Sequence, residues 1–144
     1  MIVDLRMSGF ETLQRELNEL LAAAHTSVER TSNFVVQSTA QRAKAKIRLS
    51  APTGRGYFRE NPDRFVIASS PGQAPANDLG ILARGITFTK FASGRANVMS
   101  TAPYSFDLEF GTDSIAARPF LYPSFREAIE QAAKKLRIEF ESLL

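Results

Sequence analysis

No glycine or proline occurs between Phe10 and Ala51, and this long stretch without a helix-breaking residue constrains the fold more than any other feature of the sequence. A single helix over it would be roughly 60 Å long at 1.5 Å per residue, which exceeds the width of a small domain. We therefore predict two helices. The break is placed in the sequence HTSVER, where Thr26 and Glu29 have the spacing of a helix-capping pair.

The apolar stripes of these two predicted helices differ in side-chain size. The first repeats at helical spacing and is mostly leucine; its members are Phe10, Leu13, Leu17, Leu20 and Ala24. The second consists of smaller residues, namely Val28, Ser32, Val35, Thr39, Ala43 and Ile47. Because small side chains let a helix approach its neighbour closely, we predict that the second helix lies against a sheet.

Strands are predicted before and after the helices. Residues 3–7 alternate apolar and charged side chains, which predicts a short first strand, and Ser8 and Glu11 then have capping spacing. Residues 52–80 are rich in Pro, Gly, Ala, Ser and Asn and predict a long loop that includes a candidate strand at RFVIAS. The runs LARGITFTKFA and RANVMSTA flank a Ser-Gly dipeptide and predict a β-hairpin.

The chain closes with PSFREAIEQAAKKLRIEFESLL, which predicts a C-terminal helix that begins with a capping pair of Ser124 and Glu127. These elements predict an α+β fold, with an antiparallel sheet of about four to five strands, two N-terminal helices and a C-terminal helix packed on it. A chain of 144 residues that is 44% apolar can form one core, so we expect a single domain, residues 1–144.

Composition argues against several classes of protein. The chain has no cysteine, which excludes disulfides and thiolate zinc sites and fits a reducing compartment. It has no apolar run near the roughly 20 residues of a membrane span and no signal-like start, so we expect a soluble, unexported protein without membrane contact. His25 is the single histidine, and no nucleophile, base or phosphate-binding loop accompanies it. We expect no cofactor, no metal and no enzymatic activity.

Positive charge is concentrated between Arg42 and Arg64. This stretch has seven basic residues and two acidic ones, a local excess of 7 − 2 = +5 in a chain of net charge +3. It indicates either a solvated helix end and loop or contacts to a polyanion or an acidic partner. The candidate contact residues are Arg42, Lys46, Arg55, Arg59 and Arg64.

The segment YSFDLEFGTDSIAARPFLYPSF, residues 104–125, combines many aromatic residues with two stiff X-Pro steps. Its first six residues alternate apolar and polar side chains, which by period alone predicts a strand. Asp107, Glu109 and Asp113 lie close in sequence but lack the dense acids and the glycine of a calcium loop. Arg118 could pair with Glu109 or with a carboxylate on a neighbouring molecule.

The segments PYSFDLEFGT and ARPFLYPSF, followed by a terminal helix, resemble the signature of the phage neck and tail-completion family of long-tailed phages. Upstream, GFETLQRELNEL, the AP-TG end of the second helix, the ASSPGQAPANDLG loop and LARGI are similar to the family pattern as well. The chain departs from that pattern at Gly85, Ser105 and Tyr122.

The resemblance implies a structural virion protein, a tail-completion or head–tail connector subunit that joins the tail to the neck or capsid. It implies a homo-oligomeric ring, expected to be a hexamer, whose neighbours are neck, connector or tail-tube proteins and whose lumen DNA crosses without specific binding. The protein would be made in the host cytoplasm and end in the virion. The resemblance also favours a helical turn over a strand at residues 104–109.

A ring needs different surface patches that meet between successive copies. We predict one patch in the aromatic segment because aromatic residues and arginine carry most of the binding energy at interfaces. Its residues are Glu109, Phe110, Gly111, Thr112, Arg118, Pro119 and Phe120. The loop 52–80 is the predicted second surface. The alternative is a small basic nucleic-acid-binding protein, and a small enzyme is the third class.

Overall fold

A computed structural model of the chain describes residues 10–91 and 94–142. The predicted first strand, at residues 3–7, and Ser8 lie outside these ranges. The described elements are, in chain order, helix α1 (Phe10–Leu49), strands β1 (Gly56–Glu60) and β2 (Asp63–Ile67), helix α2 (Ile81–Gly85), strands β3 (Ile86–Lys90) and β4 (Ala96–Ser100), and helices α3 (Ser105–Phe110) and α4 (Leu121–Glu141).

Helix α1 is continuous over 40 residues, so the predicted break at HTSVER is wrong. The Thr26 hydroxyl donates to the carbonyl of Ala22, 3.0 Å away, inside the helix and does not cap a new one. The width of the domain did not limit the length of the helix, because the first part of α1 extends beyond the packed elements. Residues 11–26 are exposed except for Ala24, which is half-buried, and burial begins at Ser27. We call residues 10–26 the free half and residues 27–49 the packed half.

The packed half of α1 forms one side of the core. Ala43 and Ile47 are fully buried there, on the small-sided stripe that the sequence predicted. Helix α4 runs antiparallel to this half, since Glu127 pairs with Arg42 and Lys46 whereas the Lys135 ammonium lies 3.8 Å from the ring centre of Phe34. The same half of α1 also contacts β3 and β4, as predicted, and small side chains permit both close approaches.

The four described strands form two separate two-stranded antiparallel sheets. The predicted hairpin is present as β3 and β4, with Ile86 opposite Ser100 and Lys90 opposite Ala96. The candidate strand at RFVIAS is present as β2, but its partner is β1, which the sequence had assigned to the loop. The α+β class is therefore confirmed, whereas the strands do not join into the single sheet that we predicted.

The core is small and lies where α1, α2, β3 and α4 meet. Its fully buried members include Ile47, Ile86 and Phe120, and alanines fill most of the remaining positions. Residues 105–110 are helical, which resolves the strand-or-turn question in favour of the helix. Helix α4 begins at Leu121, so Ser124 lies inside its first turns and donates to the Phe120 carbonyl instead of capping the helix.

Candidate interaction surfaces

Within the aromatic segment, the Glu109 carboxylate caps the start of helix α4. One carboxylate oxygen accepts hydrogen bonds from the backbone N–H groups of Phe120 and Leu121, both at 2.9 Å, and the other accepts from Tyr122 N–H at 2.8 Å. A helix start leaves its first N–H groups without partners and carries partial positive charge. One buried carboxylate thus satisfies three donors and joins the EFGT segment to the ARPF segment.

A tight turn between α3 and α4 places Glu109 at this helix start. Gly111 has a φ of 77°, and a Cβ there would lie 2.8 Å from the Ile115 carbonyl oxygen, so the position requires glycine. Beyond the turn, the Arg118 N–H donates to the Leu108 carbonyl at 2.6 Å. The Arg118 Nε donates to the Ser69 carbonyl at 3.1 Å, which ties the segment to the end of the β1–β2 hairpin.

These contacts separate the predicted interface residues into two groups. Glu109 is buried, Phe120 is 1% exposed, and Arg118 is half-buried against Ser69, so these side chains hold the fold together. The Phe110 side chain and Thr112 are exposed, while Gly111 and Pro119 are half-buried. A change at Phe120 would therefore disturb the core of a single copy and would not isolate an effect on assembly.

Two pairs of aromatic side chains are exposed, one within this segment and one on the β1–β2 hairpin. Phe106 and Phe110 project from α3 with ring centres 4.8 Å apart, and more than half of each side chain is exposed. Phe58 and Phe65 are directly opposite each other on β1 and β2, with 64% and 66% exposure. Exposed aromatic pairs of this kind are typical of surfaces that bind another macromolecule.

The predicted basic contact residues are mostly engaged in ion pairs within the chain. Arg42 and Lys46 form ion pairs with the Glu127 carboxylate, at 2.9 Å and 2.7 Å. The sequence had predicted Glu127 only as part of the capping pair of the C-terminal helix. The hydrogen bond from Lys46 is the main cause that lowers the pKa of Glu127, partial burial opposes it, and the charges of Lys46 and Arg42 add to the lowering.

A second ion-paired group lies on the β1–β2 hairpin. Arg59 and Arg64 both contact the carboxylate of Asp78, which sequence reasoning did not single out. Asp78 carried no sequence signal, because it lies in an irregular segment 14 residues beyond Arg64. Arg55 is exposed and has no ion-pair partner among the described residues.

A cleft of about 660 Å³ lies between the β1–β2 hairpin, the loop before α2, the end of α1, and α3. Its lining includes five apolar or aromatic side chains that are 38–47% exposed, namely Tyr57, Ile67, Ile81, Tyr104 and Ile115. Arg48, Arg55 and Arg118 also line it, and within the described ranges none of them forms an ion pair. The buried hydroxyl of Ser69, also in the lining, has no hydrogen-bond partner there.

Over residues 10–91 and 94–142, no group of three or more His, Asp or Glu side chains could hold a metal ion. His25 is exposed on the free half of α1, well inside the helix and not at a break. None of the described helices has the length and apolar content that a membrane span requires.

No protein-family model matches the chain, and neither a curated protein nor a solved structure is significantly similar to it. What the protein does must therefore be inferred from its residues and their arrangement.

Proposed function

We propose that this chain is a structural subunit of the ring that joins the tail of a long-tailed phage to its neck or capsid. The observation that carries the proposal is the placement of its large apolar side chains. The core contains mainly alanines and a few larger residues, whereas leucines on the free half of α1 and aromatic side chains on β1, β2 and α3 face solvent. Clusters of exposed large apolar side chains are uncommon on monomeric soluble proteins and are typical of interaction surfaces.

The arrangement of the aromatic segment also supports the proposal. The EFGT and ARPF segments, which carry the family resemblance, form one unit in which Glu109 caps α4. This unit fixes the position of Phe106 and Phe110, which remain available for a neighbour. In this proposal the subunits form a homo-oligomeric ring, a hexamer, which contacts neck, connector or tail-tube proteins and resides in the virion.

Two measurements test the proposal. Light scattering across concentration, with negative-stain imaging of any large species, should reveal closed rings of the purified chain. Mass spectrometry of purified virions should detect the protein, and particles that lack it should accumulate as separate heads and tails. If purified virions lack the protein, the structural role is wrong, whatever its oligomeric state in isolation.

A small nucleic-acid-binding protein is the alternative, and the ion pairs weigh against it. Four of the five candidate contact residues are occupied by Glu127 or Asp78, which reduces the charge available to phosphates. Binding to DNA would release counterions and weaken steeply with salt. A fluorescence anisotropy titration of duplex DNA at about 50 mM and 200 mM salt should show weak binding. Tight binding with a steep loss over this range would favour the alternative.

A further inference from the structure

The free half of α1 presents one apolar face. Leu13, Leu17, Leu20 and Leu21 fall on the same side of the helix at intervals of three and four residues, and each is 52–63% exposed. No described element covers this face, since packing on α1 starts at Ser27. A helix without tertiary contacts is only marginally stable in water, so an exposed leucine face on such a helix indicates a surface that another molecule covers.

The free half is acidic, and one of its acids, Glu16, borders the leucine face. Residues 11–26 contain three glutamates, Glu11, Glu16 and Glu19, against the single Arg15, a net charge of 1 − 3 = −2 with the lone histidine neutral. At 100° per residue, Glu16 lies about 40° from Leu20 at the edge of the leucine face, whereas Arg15 and Glu19 point to the opposite side. The partner surface should therefore be apolar with a basic edge.

The cleft has this composition. Its exposed apolar side chains come from β1, β2 and the segments around α2 and α3, and its basic residues without an ion pair in the described ranges are Arg48, Arg55 and Arg118. Asp107 is the one lining acid outside the Asp78 ion pairs. The charge of the cleft is thus opposite in sign to that of the free half.

The two surfaces lie at opposite ends of one continuous helix. The cleft is lined by Ile47 and Arg48 at the end of α1, and 27 residues separate Leu20 from Ile47, roughly 40 Å along the axis. The free half of a chain therefore cannot reach the cleft of the same chain while α1 is intact. The occupant of the cleft has to come from another molecule.

We infer that the free half of α1 of one copy docks by its leucine face into the cleft of the next copy. The inference rests on the proposed function, which takes the partner to be a second copy of this chain. Each copy offers both surfaces, so the contact is heterologous and repeats head to tail; a ring results when the rotation between copies closes. Glu16, at the edge of the leucine face, lies toward Arg48 and Arg55 of the next copy in this contact.

The experiment uses the full chain with one surface disabled at a time. The helix variant L17D/L20D places two charges on the leucine face, and the cleft variant R48E/R55E reverses the charge of the cleft. The matched controls are N18D/A22D, which adds the same charge to the far side of the same half-helix, and K90E/K134E, which makes the same charge change at exposed lysines elsewhere. All these positions are exposed, so thermal melts should match those of the original chain. The two double-Asp variants lose similar helix propensity in the same half-helix, so their circular dichroism should match each other.

Sedimentation velocity should show self-association of the original chain and of both controls. Each disabled variant alone should associate at least about a hundredfold more weakly than the original chain, because the burial of two leucines, or the attraction between the acidic free half and the basic cleft, is lost. A mixture of the two variants retains one intact helix and one intact cleft, so it should form a 1:1 heterodimer and nothing larger.

Three results would overturn the inference. The helix variant could associate as well as its control. The cleft variant could form homodimers that the mixture does not change, which would mean that two free halves pair with each other. The original chain could remain monomeric up to millimolar concentration. None of these results refutes the structural role, which is decided by the presence of the protein in virions; a monomeric chain would contradict only the expectation that rings form without other virion proteins.

Discussion

The two halves of helix α1 have opposite relations between side-chain size and burial. The packed half buries small residues such as Ala40 and Ala43, while the free half exposes leucines such as Leu17 and Leu20. Small side chains were required in the packed half because α4 and the β3–β4 hairpin both approach it closely. The comparison teaches that an amphipathic pattern marks a face that will be covered, but it does not say by which molecule.

Hydrogen exchange should show the largest difference between the halves. In dilute monomer, amides of residues 36–47 should exchange only through global unfolding, whereas amides of residues 14–24 open by local fraying. We expect protection to differ by about a thousandfold or more, since no described element packs on the free half. Mass spectrometry of exchanged peptides measures the contrast. Equal protection in dilute monomer would mean that the free half is covered within one copy.

Truncation at matched positions should separate the halves energetically. Ile47→Ala removes a fully buried side chain and should cost about 3 kcal/mol of unfolding free energy. Leu17→Ala removes a largely exposed side chain from the same helix and should change stability by less than about 0.5 kcal/mol. Urea unfolding of dilute monomer measures both. Equal losses of unfolding free energy for the two substitutions would contradict the difference in packing between the two halves.

Removal of the Glu109 cap should act through α4, which covers only the packed half. Glu109→Ala leaves three N–H donors at the start of α4 without their acceptor and should cost about 2 kcal/mol. Asp113→Ala, an exposed acid in the following turn, is the control and should be nearly neutral. Thermal unfolding in dilute solution compares them. A neutral Glu109→Ala would show that the cap does not stabilise α4.

The smallest effect is expected at Glu127, which joins α4 to the packed half. Its pKa is lowered in the folded state, so its ion pairs stabilise the fold above the unfolded pKa of about 4.3 and are lost as pH falls through the lower folded value. The group is partly exposed, so the contribution should be about 0.5 kcal/mol. Urea unfolding between about pH 6 and pH 3 should show a shallower loss for Glu127→Gln. Identical profiles would assign the acid sensitivity to other carboxylates.

Local sequence signals predicted several elements well and misassigned others. The small-sided stripe ending at Ile47, the β3–β4 hairpin and the C-terminal helix were all predicted from spacing. The capping spacing of Thr26 with Glu29 and of Ser124 with Glu127 was misleading, because a hydroxyl inside a helix can bond to a preceding carbonyl equally well. Strand β1 was missed because its five residues are mostly exposed and show no alternation of buried side chains.

The candidate surfaces were predicted less completely than the fold. The aromatic segment was identified, but spacing alone could not show that Phe120 faces the core while Phe110 faces solvent. The basic stretch was identified as well, yet the acids that neutralise most of it, Asp78 and Glu127, lie far from it along the chain. Ion pairs of this kind depend on tertiary contacts, which a local pattern does not encode.

The sequence by itself determined the long helical segments, the β3–β4 hairpin and the apolar faces of the helices, because these properties arise from propensity and from periods of 3.6 and 2 residues. It also placed a carboxylate, a glycine and a proline-rich segment in the order that the α3–α4 turn requires. Only the tertiary structure decided that α1 is one helix with an unpacked free half, that the strands form two separate sheets and that Glu109 caps α4. These outcomes depend on which segments distant in sequence pack together, because that packing decides which side chains are removed from water.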